Sequence, residues 1–265
     1  MSPTLRDSLS EFFKTLYKLD VISVFSVILP TLNEAGHIVQ LVKTIGKILS
    51  KYKYEIIIVD DNSTDTTPEL CLKLKKTNKK IKFFSRKGLR KNLAESINLG
   101  IKKSIFENIV WLDADFQHPP QYIKKFTKYQ KLYDVIIFSR FLPKSKRYFM
   151  NKKFKKEVNE NQSIFFNKLC KFLLFNDITD YTSGFICIKK KILNNYSLKG
   201  YYGEYFISLI THCKLERKKI KELPYNEKAR YSGTSKTLPE ISYKYVILLY
   251  KYLVCLIFNI FKKYL

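Results

Sequence analysis

The hydrophobic positions of this chain form short apolar runs that alternate with stretches in which apolar residues recur at helical spacing. Each apolar run stops at a polar turn, as expected of a strand that is buried on both faces. The predicted strands are 24–30, 54–61, 81–85, 108–115 and 134–140. The helices predicted around them are 34–52, 65–77, 91–104 and 120–130. This alternation predicts βαβ units, and therefore an α/β fold with a mostly parallel sheet and helices on both faces.

The pattern changes after residue 140, and this change sets the predicted domain limits. A basic, polar stretch at 141–163 is predicted to be a mobile loop or lid, and further helices are predicted at 163–175 and near 203–214. Apolar residues also recur at helical spacing ahead of the first strand. We therefore predict an N-terminal amphipathic helix, one main domain and a C-terminal apolar helical tail. Their limits are 1–23, 24–236 and 237–265.

The C-terminal tail is apolar but is interrupted by lysines. Its charge-free run, 252–261, is shorter than the roughly 20 apolar residues that a membrane-spanning helix needs. Lys251 and Lys262 fall near one stripe at helical spacing, and tyrosines suit a headgroup boundary. The tail is therefore predicted to lie in the plane of a membrane. Packing on the main domain or on a second subunit is the alternative.

Composition adds little to this picture. The chain has 49 Lys and Arg against 23 Asp and Glu, a formal charge of +26. Such an excess attracts anionic membranes, nucleic acids or phosphorylated ligands, but a generally Lys- and Asn-rich composition accounts for it equally well. No nucleic-acid partner is predicted. The five cysteines are scattered without a C-x-x-C pair, which fits a reducing cytosol and suggests neither a disulfide framework nor a zinc site.

Polar residues recur where the predicted strands end, and this recurrence is the main functional signal. The carboxyl ends of parallel strands meet at one edge of a sheet, where ligands bind. Asp113 and Asp115 are one residue apart, and two adjacent carboxylates repel each other unless a cation lies between them. Mg²⁺ or Mn²⁺ suits such oxygen ligands and is commonly shared with substrate phosphates. Asp60 and Asp61 would accept hydrogen bonds from a base or ribose, or would cap the next helix; no dinucleotide fingerprint or P-loop is present.

Six segments carry a resemblance to a known family. In chain order they are "SVILPTLNE", "IIIVDDNSTDTT", "WLDADFQHPP", "FSRF", "DYTSGF" and "RYSGTSK". Together they resemble the family-2 glycosyltransferases of the GT-A fold, which is Rossmann-like, and more narrowly the dolichyl- or polyprenyl-phosphate mannosyltransferases. The resemblance covers about residues 24–236.

The resemblance implies roles for individual residues. Those implied to bind the nucleotide-sugar are Pro30, Glu34, Asp60, Asp61, Asp113, Arg230 and Ser235. Those implied to hold Mg²⁺ or Mn²⁺ on the diphosphate are Asp113, Asp115 and Gln117. The predicted catalytic residues are Asp115, Arg140, Lys236 and Asp180, with Arg140 on the acceptor phosphate and Lys236 in a segment that closes over the phosphates.

Three stretches depart from the family pattern. An arginine usual a few residues before the serine matching Ser163 is missing, since 159–162 reads Asn-Glu-Asn-Gln. The glycine-rich stretch after the third strand is replaced by "GLRKNLAES", and the usual glutamine-containing helix reads "GEYFISL". These departures bear on the sugar and the acceptor rather than on the fold.

The resemblance implies an inverting transfer of a mannose-like hexose from a nucleoside-diphosphate sugar to a polyprenyl or dolichyl phosphate. The expected location is the cytoplasmic face of a membrane, and a homo-oligomer is possible. A phosphate acceptor is already anionic, whereas a glycan hydroxyl would need a general base, for which Asp180 and Glu204 are the candidates. A glycan acceptor and a non-catalytic basic binding module are the alternatives. His118 is a further candidate for contact with substrate.

Overall fold

The computed structural model describes residues 23–145, 164–165, 167–200, 203–228, 250–251, 253–258 and 261–262. The predicted N-terminal helix, nearly all of the predicted lid, and Arg230, Ser235 and Lys236 lie outside these residues. The described strands are β1 Val24–Thr31, β2 Lys53–Asp60, β3 Ile81–Ser85, β4 Asn108–Trp111, β5 Val135–Ser139, β6 Ile186–Lys189 and β7 Ile220–Pro224. The described helices are α1 Ile38–Ile48, α2 Thr67–Thr77, α3 Leu93–Lys103, α4 Ile123–Tyr129, α5 Lys190–Leu193 and α6 Glu204–Leu215.

The strands form one sheet in the order β3-β2-β1-β4-β6-β5-β7. Strands β1 to β4 are parallel, β6 runs antiparallel to both of its neighbours, and β7 is parallel to β5. The predicted mostly parallel α/β fold is confirmed. The predicted strand 108–115 is too long, because pairing of β4 with β1 and with β6 ends at Trp111.

Helices cover both faces of the sheet because its strands are apolar on both faces. In α1, the buried residues Ile38, Leu41, Val42 and Ile45 form one stripe that packs into the core on one side. On the other side, α3 lies so close to β1 that a Cβ at Gly100 would come within 2.5 Å of Ile28 Cγ2. A larger residue at position 100 would therefore push α3 away from the sheet.

One face of the tail helix packs against the domain. Leu253 is 2% exposed within the core cluster on the α3 side of the sheet, and Leu256 and Ile257 pack against that cluster. The other face carries an exposed apolar stripe, which we call the tail stripe: Tyr250, Val254, Phe258 and Phe261. Within the described part of the chain, no helix has the length and hydropathy to cross a membrane. The alternative of packing on the domain thus holds for one face of the tail.

Candidate functional site

The loops that follow β1 and β2 are joined into one unit. Asn33 and Asn62 both adopt left-handed backbone conformations, with φ of 54° and 66°, which asparagine tolerates better than most residues. The Asn33 amide donates to Ser63 Oγ at 2.9 Å, and the Thr64 amide donates to Asn33 Oδ1 at 2.8 Å. The Asp61 amide donates to the Thr31 carbonyl at 2.8 Å. A ligand at these strand ends would therefore meet a rigid double loop.

The two aspartates at the end of β2 already have protein partners. Asp60 is buried, and its carboxylate accepts hydrogen bonds from the amide and hydroxyl of Ser63. Asp61 is also buried; it forms an ion pair with Arg86 and accepts the Asn92 amide at 2.7 Å. These contacts show that both carboxylates stabilise the loops, and their contacts with a base or ribose stay a prediction.

Pro30 and Glu34 flank the first loop. Pro30 is aligned with Val59 in the β1–β2 ladder and is the last residue but one of β1. Glu34 is buried, with its carboxylate against His37, and its amide donates to Thr67 Oγ1 at 2.8 Å. Both residues lie at the edge of the sheet that the sequence predicts, and their roles toward a nucleotide are untested by these contacts.

The two aspartates of the metal motif lie in a turn beyond β4, not on one face of a strand as the sequence predicts. The Asp113 side chain is 50% exposed, whereas Asp115 is 2% exposed. The Gln117 amide donates to Asp115 Oδ1 at 2.9 Å. Phe116 between them has φ 67°, a costly conformation for a bulky residue. Asp113, Asp115 and Gln117 therefore lie in a turn rather than on the alternating face of a strand.

The chemistry of these residues fits a hard divalent cation. Asp113, Asp115 and Gln117 all offer oxygen atoms, which Mg²⁺ and Mn²⁺ prefer. Among the described residues, no three His, Cys, Asp or Glu side chains are grouped closely enough to enclose a metal. Mg²⁺ and Mn²⁺ commonly share such oxygen ligands with the phosphates of a substrate.

His118 points into the domain rather than into the site. It is 4% exposed, and its ring stacks on Phe185 at 5.2 Å between centroids and meets Tyr225 edge-on at 5.9 Å. Its Nδ1 accepts the backbone amide of Asp113 at 3.0 Å, which requires an unprotonated Nδ1. Burial lowers the pKa of His118 to about 4, so the ring is neutral near pH 7. This orientation argues against the predicted substrate contact.

Arg140 and Asp180 form a buried ion pair at the end of β5. Arg140 Nε donates to Asp180 Oδ2 at 2.9 Å, Nη2 donates to Oδ1 at 2.8 Å, and Asp180 is 0% exposed. Burial alone would raise the pKa of Asp180, but the charge and hydrogen bonds of Arg140 outweigh it and hold the pKa below its ordinary value. Asp180 is therefore an ionised partner that fixes the guanidinium.

Two further elements fix the turn that carries Asp180. Glu222 in β7 accepts the amides of Thr179 and Asp180 at 2.9–3.1 Å. Asn167 accepts the amide of Tyr181 at 2.6 Å and donates to Thr182 Oγ1 at 3.0 Å. Arg140 is thus held against a turn that is anchored from both sides. Sequence reasoning missed Glu222, Asn167 and Arg86, because each of them acts through a long-range contact.

The residues after β7 lie beside the metal motif. The Lys228 amide donates to the Gln117 carbonyl at 3.2 Å, and the Asn226 amide donates to Tyr122 Oη at 3.0 Å. Glu227 Oε1 lies 4.0 Å from Arg140 Nη1. The segment that contains Arg230, Ser235 and Lys236 begins directly after these residues.

Glu204 begins α6 and is buried. A Cβ at Gly200 would lie 2.8 Å from Glu204 Cγ, so Gly200 makes room for this side chain. An acidic residue in the first turn of a helix is favoured by the helix dipole, which accounts for Glu204 without a catalytic role.

Comparisons with known proteins agree with this geometry. The fold is of the GT-A type. Residues 26–197 match the model of the family described as "Glycosyl transferase family 2". The chain belongs to this family.

Two curated relatives and one solved structure illustrate the similarity. A dolichol-phosphate mannosyltransferase from Pyrococcus furiosus is 28% identical over 227 residues, which cover 85% of this chain and 62% of that protein. The putative glycosyltransferase CsbB from Bacillus subtilis is 30% identical over 122 residues, covering 44% of this chain and 36% of that one. This chain thus spans less than two thirds of either relative.

A structure of glucosyl-3-phosphoglycerate synthase from Mycobacterium tuberculosis, solved with Mn²⁺ and UDP-glucose, superposes with a TM-score of 0.64. The alignment covers 90% of this chain and 82% of that one at 17% identity, so it shows the fold alone.

Proposed function

We propose that this protein transfers a hexose from a nucleoside-diphosphate sugar to the phosphate of a polyprenyl phosphate, with inversion at the anomeric carbon. Family membership and the metal motif support the donor half of this proposal. The similarity to a dolichol-phosphate mannosyltransferase supports the acceptor half. The observation that carries the choice of acceptor is the buried ion pair of Arg140 with Asp180.

A glycan-hydroxyl acceptor would need a side chain that removes a proton. Asp180 is fully buried, and its low pKa makes it a poor proton acceptor near neutral pH. Both of its carboxylate oxygens are bound to Arg140. A phosphate monoester needs no such base because its oxygens are already anionic. The geometry therefore favours an anionic acceptor.

The reaction that this acceptor allows is a single displacement. An oxygen of the acceptor phosphate attacks the anomeric carbon, and the bond from that carbon to the diphosphate breaks with its electron pair on the leaving nucleoside diphosphate. A divalent cation on Asp113, Asp115 and Gln117 would supply charge neutralisation for that leaving group. Asp180 holds Arg140 through Nε and Nη2, so we assign Nη1, whose neighbour is the Glu227 carboxylate at 4.0 Å, to the acceptor phosphate.

The tail stripe supports a place at a membrane surface. The four residues of the tail stripe have exposed fractions of 45–69%, and Lys251 and Lys262 beside them are also exposed. An amphipathic helix with lysines and large apolar residues binds anionic bilayers through both features. We propose that this face rests on the cytoplasmic leaflet, where a lipid phosphate is available as acceptor.

The test compares acceptors that differ only in charge. Purified protein with Mn²⁺ and a panel of labelled nucleotide-sugars is offered polyprenyl phosphate or the corresponding free polyprenol. Transfer to the phosphate alone is expected. Equal transfer to the alcohol or to a glycan would overturn the proposed acceptor.

Arg140→Lys sharpens this test because it keeps the charge but loses the paired hydrogen bonds of the guanidinium. It should raise the KM for the acceptor by about tenfold, the effect of roughly one charge-assisted contact, with the donor KM changed little. Arg217→Lys, at an exposed arginine, is the matched control and should change neither. A rise in the donor KM alone would place Arg140 on the donor instead.

A further inference from the structure

The turn that carries the metal motif contains an unfavourable backbone conformation that must be held in place. Phe116 has φ 67°, and residues with a bulky side chain rarely adopt this region. Strain of this kind persists only where surrounding contacts determine the conformation. Two hydrogen bonds within the turn do so: Gln117 N to Asp115 Oδ1 at 2.9 Å, and Asp113 N to His118 Nδ1 at 3.0 Å.

The second of these bonds connects the start of the turn to the core. The His118 ring packs in a cluster with Phe185 and Tyr225, which also contact each other, and this packing fixes the position of its Nδ1. The amide that it accepts belongs to Asp113, whose half-exposed carboxylate begins the metal motif. The position of Asp113 therefore depends on a ring that lies beneath the site.

The same contacts exclude two other roles for His118. A metal ligand would need a nitrogen lone pair directed at the ion, but Nδ1 carries the lone pair of the neutral ring and accepts the Asp113 amide. A general base would need a free lone pair to receive a proton from substrate, and the lone pair on Nδ1 already accepts the Asp113 amide.

We propose that His118 is a positioning residue for the metal site: it fixes the backbone of Asp113 so that the carboxylates of Asp113 and Asp115 can share one cation. This inference rests on the proposed function, because it takes these carboxylates to be the ligands of Mg²⁺ or Mn²⁺. His118 touches neither the ion nor the substrate in this role.

Two substitutions separate positioning from simple filling of the core. His118→Asn keeps an acceptor, since Asn Oδ1 is as many bonds from the backbone as His Nδ1, but it removes the ring. His118→Phe keeps a ring that can stack on Phe185 and meet Tyr225 edge-on, but it removes the acceptor. If His118→Phe does not fold, His118→Leu also removes the acceptor with less volume.

The measurements are Mn²⁺ binding, from the loss of the electron paramagnetic resonance signal of free Mn²⁺, and UDP and GDP binding by calorimetry with and without Mn²⁺. Urea unfolding without metal reports stability. His118→Phe should weaken Mn²⁺-dependent nucleotide binding by about tenfold, which is the order of the net contribution of one hydrogen bond. His118→Asn should stay within about threefold of wild type while losing more stability than His118→Phe.

His212→Phe is the matched control, because His212 also stacks on an aromatic ring, that of Tyr196 at 4.3 Å. It should leave Mn²⁺ binding unchanged. A role in packing alone predicts the reverse order, with His118→Asn the weaker binder, and that order or equal binding by both variants would overturn the inference.

The same measurements distinguish failure of the proposed function from failure of the role proposed for His118. Wild-type protein that binds neither nucleotide more tightly with Mn²⁺ than without it would overturn the metal site itself, and the role of His118 with it. Wild-type protein with normal Mn²⁺-dependent binding but the wrong order of variants would overturn only the role of His118.

Discussion

Asp177 and Asp180 lie in the same short turn region, yet their surroundings predict different contributions to the stability of the fold. Asp180 is fully buried against Arg140, whereas the Asp177 side chain is 59% exposed and pairs with Lys214 at the surface. Removing one partner of a buried ion pair leaves a charge without compensation, but an exposed pair is screened by water.

Asp180→Asn should therefore lower the free energy of unfolding by roughly 3–5 kcal/mol. Asp177→Asn is the matched control and should lower it by less than about 1 kcal/mol. Urea unfolding of both variants beside wild type measures the difference. Equal, small losses for the two variants would mean that the Arg140–Asp180 pair is not the anchor described above.

At the residue scale, the sequence predicts which side chains follow the strands at one edge of the sheet, but not what each one contacts. The motif spacing places Asp113, Asp115 and Arg140 at strand ends; Arg140 directly follows β5, whereas Asp113 and Asp115 lie in the turn beyond β4. The inward orientation of His118 and the pairing of Asp61 with Arg86 depend on side chains distant in sequence. No local pattern encodes such contacts, so they could not be predicted.

At the element scale, the apolar periodicity predicts the first five strands and the helices of the described residues other than α5, but not every boundary. The strand predicted at 108–115 ends at Trp111, the last residue of β4 that is aligned with a neighbouring strand: it is aligned with Ile28 within β1 and with Ile186, where the antiparallel β6 begins. Strand β6 is a short apolar run without alternation, and its antiparallel insertion between β4 and β5 results from long-range pairing.

Substitutions on the two faces of the tail helix are expected to change stability by different amounts. Leu253→Ala removes a buried side chain from the core cluster and should lower the free energy of unfolding by about 2–5 kcal/mol. The adjacent Val254 is 45% exposed, and Val254→Ala should change stability by less than about 0.5 kcal/mol. Thermal or urea unfolding measures both. Equal effects would contradict the packing of this helix on the domain.

At the scale of the whole molecule, the charge of +26 and the tail stripe act together if the protein binds a membrane. Of the five cysteines, Cys255 in the tail is exposed and the other four are buried. Burial raises the pKa of the Cys71, Cys170, Cys187 and Cys213 thiols to about 12, so they should react slowly near neutral pH. A thiol-reactive, environment-sensitive dye should therefore label the native protein at Cys255, with one dye per chain.

Anionic vesicles should shift the emission of this dye to shorter wavelength, and added salt should reverse part of the shift by screening the lysines. Phe258→Ser removes one exposed apolar side chain of the tail stripe and should weaken the shift without loss of stability. A dye that stays fully hydrated with anionic vesicles at low salt would contradict the proposed membrane contact.

The proposed transfer to a phosphate is tested most directly by the structure of the product. Nuclear magnetic resonance of the material formed from an α-linked nucleotide-sugar and polyprenyl phosphate reports both the new bond and its configuration. We predict an anomeric carbon and proton coupled to the single phosphorus of a monophosphate, with the β configuration that one displacement gives. An anomeric centre without coupling to phosphorus, or with the configuration of the donor, would contradict the proposed reaction.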